Sequence, residues 1–242
     1  MNKIWTAHFQ GTPFSVYQFK MFEDSFGYLI ESGGRGVAID ISDGDELLQL
    51  LKDHHIALDT FLITHHHRDH IKGARLIKEK TGCQLIGPKQ ETLDFLDQDV
   101  VDGEEFAVGP FAFEVMATPG HSQDHVSYFF RDCSCLFCGD TLLLSGCGRI
   151  FDSTAEHLYK SLQMIKQLPA KTLIFCGHDH TEKNIKFAQL KEPNNEQLSM
   201  AGYVSFRSLE EECLLNPFLR ALDLDKFKKL REEKDLYDAK LN

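Results

Sequence analysis

The chain has 242 residues, with 26 Lys and Arg against 37 Asp and Glu; the formal net charge of −11 repels a nucleic-acid backbone on average and disfavours general DNA or RNA binding. At 42% hydrophobic and 26% charged residues it has the composition of a soluble globular protein with a real core, and no run of about 18 apolar residues offers a transmembrane helix. Polar residues follow Met1-Asn2-Lys3-Ile4-Trp5 too soon for a signal-peptide core, so a cytoplasmic location is expected.

In chain order, short apolar runs predict strands over residues 26–30, 36–41, 60–63, 83–86, 111–117, 126–130, 135–138 and 172–176. Helical periodicity lies between several of them. Residues 46–54 place Leu47, Leu48, Leu50 and Leu51 along one face, and 69–80 and 156–167 repeat the pattern. A mixed α/β domain over residues 1–180 is therefore expected. Beyond it, the breakers Pro193-Asn194-Asn195 and Asn216-Pro217 separate stretches that read as helix, which predicts a small helical domain over 181–242. Residues 220–242 carry seven Lys/Arg against six Asp/Glu, a local charge of +1, and leave −12 on the rest of the chain.

The seven cysteines are an odd number, and in a cytoplasmic chain free thiols are expected rather than a disulfide framework. Cys133, Cys135 and Cys138 could suggest a sulfur site, but no fourth cysteine is paired with them, and thiols on a strand usually serve as small buried apolar groups. The twelve histidines are more informative. The strand ending at Ile63 runs into Thr64-His65-His66-His67-Arg68-Asp69-His70, where a helical pattern begins. His65 and His67, two apart on an extended turn, can face one position, and Asp69 and His70 can face a second as the chain bends into the helix. His66 and Arg68 are expected to point away. Three further candidates stand just past strand ends behind a glycine: His121, Asp140 and His178. Ligand sites in open α/β architectures assemble at such ends.

Five histidines and two aspartates without thiolate suit zinc, iron or manganese rather than structural zinc or an iron–sulfur cluster. An even division has Asp140 bridging two ions, one held by His65, His67 and His121 and the other by Asp69, His70 and His178. A water between the ions would be acidified into a nucleophile at neutral pH.

Residues 64–70, Pro119-Gly120-His121, Gly139-Asp140-Thr141 and Gly177-His178 resemble, in order and spacing, the metallo-β-lactamase superfamily. The resemblance implies an αββα sandwich with a binuclear site at one edge. Within it the chain is similar to glyoxalase II, hydroxyacylglutathione hydrolase, in residues 139–149, Cys176-Gly177-His178, residues 184–188, Asn216-Pro217-Phe218-Leu219-Arg220 and Arg231-Glu232-Glu233-Lys234-Asp235. The resemblance implies a binuclear metallohydrolase that cleaves the thioester of S-lactoylglutathione to D-lactate and glutathione, the second step of methylglyoxal detoxification. It implies two divalent ions, zinc foremost with iron or manganese also accommodated, and catalytic roles for Asp69 and Asp140. Glutathione contacts fall on Arg149, Phe151, His180, Arg231 and Lys234. Arg149 stands where lysine is usual, and Phe151 and His180 where tyrosine is usual. Arginine keeps the cation, histidine can still donate one hydrogen bond, and phenylalanine cannot. The expected partner is a small glutathione thioester, with no nucleic acid, no membrane and a monomeric state. The rival readings are a glutathione persulfide dioxygenase using a single iron on His65, His121 and Asp140, which the complete second ligand set opposes, and another thioester or lactone hydrolase of the superfamily.

Overall fold

The computed structural model describes residues 2–9 and 12–241. Four antiparallel strands open the chain: β1 (Asn2–Phe9), β2 (Thr12–Met21), β3 (Ser25–Ser32) and β4 (Arg35–Ile39). β5 (Ala57–Leu62), β6 (Gln84–Pro88) and β7 (Gln98–Val100) then join in parallel, giving a seven-stranded sheet in sequential order. Helices α1 (Gly44–Asp53), α2 (Arg68–Ile71) and α3 (Ala74–Thr81) fall between these later strands.

A second sheet follows, built from β8 (Glu105–Val108), β9 (Phe111–Ala117), β10 (Val126–Phe130) and β11 (Cys135–Phe137). A two-strand hairpin of β12 (Leu142–Leu143) and β13 (Gly146–Cys147) and helix α4 (Ala155–Ile165) lead to β14 (Leu173–Phe175), which pairs parallel to β11. Residues 181–242 supply α5 (Thr181–Lys191), α6 (Glu196–Met200), β15 (Arg207–Ser208), α7 (Leu209–Leu215) and α8 (Leu224–Ala239).

Alternation along the strands sorts the apolar residues into three buried layers. Tyr28, Ile30, Val37, Ile39 and Leu62 meet Val115, Tyr128, Phe137 and Phe175 between the sheets. Their neighbours Leu29, Ala38, Phe61 and Ile63 face Leu47, Leu50 and Ile77 of α1 and α3. On the far side, Phe129, Leu136 and Ile174 face Leu158 and Leu162 of α4 together with Phe187, Leu209, Phe218 and Phe227. The fold is thus the expected αββα sandwich, and residues 181–242 share a buried cluster with its second sheet.

Three departures from the sequence expectation have physical causes. β1 and β2 lie in a segment with no predicted strand; β2 is buried on both faces, Phe14 and Val16 toward the other sheet and Tyr17, Phe19 and Met21 toward the helices, so alternation is masked. The helix expected over 69–80 is broken into α2 and α3 because Gly73 packs against the chain after β4, where an added Cβ would sit 2.6 Å from the Ile41 carbonyl oxygen. The stretches after residue 180 are not all helix, since β15 pairs with β14 and so extends the second sheet. Cys135 faces the inter-sheet layer and Cys138 the helix layer, so the cysteine triplet does not converge, and all seven cysteines are free.

Candidate metal centre

The ends of β5, β9, β11 and β14 deliver their following residues to one edge of the sandwich. His65 and His67 follow β5, and Asp69 and His70 ride on the single turn of α2. His121, Asp140 and His178 follow β9, β11 and β14. The structure brings all seven together as two clusters. Donor atoms of His65, His67 and His121 lie within 4.8 Å of one another, as do those of Asp69, His70 and His178. Asp140 stands between them, with Oδ2 3.3 Å from His121 Nε2 and 3.2 Å from His178 Nε2, and Oδ1 3.7 Å from His70 Nε2. His66 turns away to Asp124, 3.0 Å distant, and Arg68 is exposed.

The hydrogen-bond network fixes which ring nitrogens point inward. Asp40 Oδ2 accepts from the Thr64 hydroxyl at 2.5 Å and from His70 Nδ1 at 3.1 Å, while Oδ1 accepts from the Thr64 backbone N–H at 2.8 Å. With its proton committed to Asp40, Thr64 Oγ1 accepts from His65 Nδ1 at 2.9 Å. His121 Nδ1 donates to the Arg149 carbonyl at 2.7 Å, and His178 Nδ1 to Asp24 Oδ1 at 3.1 Å. In its neutral form, each of these four rings therefore presents an Nε2 lone pair to the centre. His70 Nε2 and His178 Nε2 face each other at 3.4 Å. His65 Nε2 and Asp140 Oδ1 are buried without a hydrogen-bond partner. Converging lone pairs and orphaned buried acceptors are the donor set that divalent cations satisfy, and the residues fit two of them.

Electrostatics separates the two clusters. Burial, reinforced by neighbouring rings, pushes His65 well below the usual imidazole range and lowers His67 and His121, so the first cluster is neutral imidazole. In the second, burial opposes protonation but Asp140 with Asp40 raises His70, and Asp140, Asp24 and Asp69 raise His178. Asp140 is held well below the carboxylate range because His178, His121 and His70 outweigh its burial. Without a cation, the carboxylates thus draw protons onto these rings, and a bound cation would release them.

Beside the centre lies a cavity of about 630 Å³, onto which His67, Asp69, His121, Asp140 and His178 open. All five expected glutathione contacts line it: Arg149, Phe151, His180, Arg231 and Lys234. Their states differ. Phe151, 59% exposed, sets its ring edge-on to His67 and His121 at 5.2 and 5.1 Å between centroids. Arg231 and Lys234 are buried. Arg231 donates to the Cys147 carbonyl at 3.1 Å and to Asp235 at 3.0 Å, while Lys234 is held by both oxygens of Asp238 at 2.7 and 2.6 Å. His180 is bound to Asp24 Oδ2 at 2.8 Å. Among the described residues, Arg149 and Lys183 are the cavity cations without a carboxylate partner.

The metallo-β-lactamase superfamily model matches residues 15–178. The chain is 37% identical over 220 residues to a hydroxyacylglutathione hydrolase of Methylococcus capsulatus, covering 85% of this chain and 86% of that protein. It belongs to the hydroxyacylglutathione hydrolase family of the metallo-β-lactamase superfamily. A second member, from Rhodospirillum rubrum, is also 37% identical, over 225 residues, 87% of this chain and 88% of its own. Among solved structures, ETHE1 from Myxococcus xanthus superposes with a TM-score of 0.73 at 28% identity, over 90% of this chain and 89% of that one. The cavity walls come partly from the segment after β14, through His180, Lys183, Arg231 and Lys234, and partly from Leu143, Cys147, Gly148, Arg149 and Phe151.

Several residues that organise this family site carried no sequence prediction. Asp40 stands just past β4, within the stretch 36–41 predicted as strand and with no glycine before it, and its left-handed backbone (φ +52°) suits aspartate better than most residues. His125, fully buried, stacks on His65 with ring centroids 4.9 Å apart and accepts from the Asp140 backbone N–H at 3.1 Å, holding Asp140 from behind. Burial keeps it neutral, which that acceptor role requires. Asp24 and Lys183 lie in a turn and on a helix face, where the sequence gives no local signal.

Proposed function

We propose that the protein hydrolyses the thioester of an S-(2-hydroxyacyl)glutathione, with S-lactoylglutathione as the working substrate, releasing the 2-hydroxy acid and glutathione. The observation that carries the reading is the shared cavity: one wall is the two-cluster centre, and the others hold Arg149, Lys183, Arg231 and Lys234. A thiol carrier with two carboxylates needs such cations on a chain of net charge −11. The family membership and the names of its relatives support the same substrate class.

His65, His67 and His121 would hold one ion, and Asp69, His70 and His178 the other, with Asp140 bridging. When bound, the ions would supply Lewis acidity and lower the pKa of a water. The chain's own groups do the rest. Asp69, 36% exposed at the cavity wall with Oδ2 3.3 Å from His178 Nε2, accepts a hydrogen bond from the attacking water and orients it toward the carbonyl carbon. Arg149 and Lys183 hold the carboxylates of the carrier, and Phe151 packs beside the acyl end. The leaving thiolate is weakly basic, with a thiol pKa near about 8.5, and departs without a strong acid.

Zinc is the ion we assign first, since histidine with carboxylate suits it, while iron and manganese accept the same donors. Among the described residues no helix is long and apolar enough to cross a membrane. Seven free thiols fit the reducing cytoplasm, where a monomeric enzyme would meet glutathione. The test is a panel of acyl-glutathione, acyl-coenzyme A and simpler thioesters offered to the zinc-loaded protein. Preference for the glutathione thioester supports the assignment; equal or better turnover of the others overturns it.

A further inference from the structure

His180 lines the substrate cavity, yet its imidazole is already committed. Asp24, in the turn between β2 and β3, uses both carboxylate oxygens on two histidines of one segment: Oδ1 accepts from His178 Nδ1 at 3.1 Å, and Oδ2 from His180 Nε2 at 2.8 Å. The rings of His178 and His180 lie nearly parallel, 5.3 Å apart and 28° inclined, as side chains two residues apart do in extended chain. The intervening Asp179 points elsewhere and accepts from Lys20 Nζ at 2.8 Å. Backbone bonds fasten the same two segments, from Phe26 N–H to the Gly177 carbonyl at 2.6 Å and from Asp179 N–H to the Asp24 carbonyl at 2.7 Å. Asp24 is 44% exposed, so water competes for its carboxylate. One hydrogen bond to His178 leaves the carboxylate free to rotate about its terminal torsion, which is broad and weakly restrained. The second bond, from His180, removes that freedom.

We propose that His180 is a positioning residue for the second cluster: through Asp24 it holds His178 in the Nδ1–H tautomer and aims its Nε2 at Asp69 and Asp140. The proposal rests on the binuclear reading above and reassigns His180 from carrier contact to support of a ligand. Carboxylate partners of metal-bound histidine fix ring orientation and basicity. Here that partner is itself fixed by another side chain, on the residue just before α5 that the substrate would otherwise meet.

The test reads metal binding rather than turnover. Zinc affinity of both sites is measured by chelator competition for the wild type, His180→Phe, His180→Gln, Asp24→Asn and the Asp24→Asn/His180→Phe double variant, with KM for S-lactoylglutathione on the same samples. His180→Phe is expected to weaken the second ion about 10- to 100-fold and leave the first and KM unchanged. His180→Gln, which keeps a donor, restores the second ion, and in the Asp24→Asn background His180→Phe has no further effect. Unchanged zinc affinity with a raised KM in His180→Phe overturns the proposal and returns His180 to the substrate. So does a zinc defect that glutamine fails to rescue or that adds to the Asp24→Asn defect. Absence of glutathione thioester hydrolysis in the wild type would refute the proposed function while leaving the zinc titration to judge His180.

Discussion

Asp40→Asn is isosteric but should disable both clusters, because Asp40 sets the proton on one histidine of each. The aspartate accepts three hydrogen bonds, two from Thr64 and one from His70. Asparagine offers one acceptor oxygen. If it keeps the Thr64 backbone N–H, its amide nitrogen faces Thr64 Oγ1 and His70 Nδ1 as a donor. The Thr64 hydroxyl must then turn its proton to His65 Nδ1, which moves the ring hydrogen of His65 to Nε2, and His70 inverts in the same way. Both rings now point N–H at the positions where lone pairs converged. Loss of such a supporting carboxylate costs about 10- to 100-fold in metal affinity, or about 1.4 to 2.8 kcal/mol per ion at 1.4 kcal/mol per decade. Chelator-competition titration of the variant should show both ions weakened by this amount, with thermal unfolding of the metal-free protein as the control for gross misfolding. Two ions bound at wild-type affinity would refute the proton assignment.

Gly177→Ala places a methyl against Asp140 Oδ1 and 2.9 Å from His70 Cε1, and displacing the bridging carboxylate should cost about 100-fold in kcat/KM; activity near wild type would mean that the site is looser than its packing indicates. Glu212→Ala leaves Arg207, 2.9 Å away and buried, without its carboxylate, and also strands the Ser145 N–H. Denaturant unfolding should register a loss of about 3–5 kcal/mol. Asp238→Asn frees Lys234 for the carrier and should lower KM about two- to fivefold, the scale of a partly exposed ion pair, whereas Lys183→Met should raise it by a similar factor. An unchanged KM in both would place the carrier elsewhere.

The sequence carried the clustered histidines and aspartates better than the groups that support them. His65, His67, Asp69 and His70 announce themselves by spacing, and His121, Asp140 and His178 by standing behind a glycine at strand ends. Asp40 has no glycine before it and fell inside the strand predicted over 36–41, which ends at Ile39 in the structure, so nothing marked it. Asp24 and His125 act only through residues distant in sequence, 154 positions away for Asp24 and His178, and local pattern holds no trace of such pairing. Strand β2 was hidden because both its faces are buried, and β15 because two residues are too few to show a period. The five cavity residues were legible only through family resemblance, which placed His180 correctly in space while its hydrogen bond ties it to Asp24.

The most direct test of the whole account is metal content and S-lactoylglutathione hydrolysis measured on one sample, with Asp140→Ala alongside. Two divalent ions per chain and thioester turnover, both lost on removing the bridging carboxylate, are the predicted result. A single ion in an active wild type, or turnover undiminished in the variant, would contradict the binuclear centre on which every other step depends.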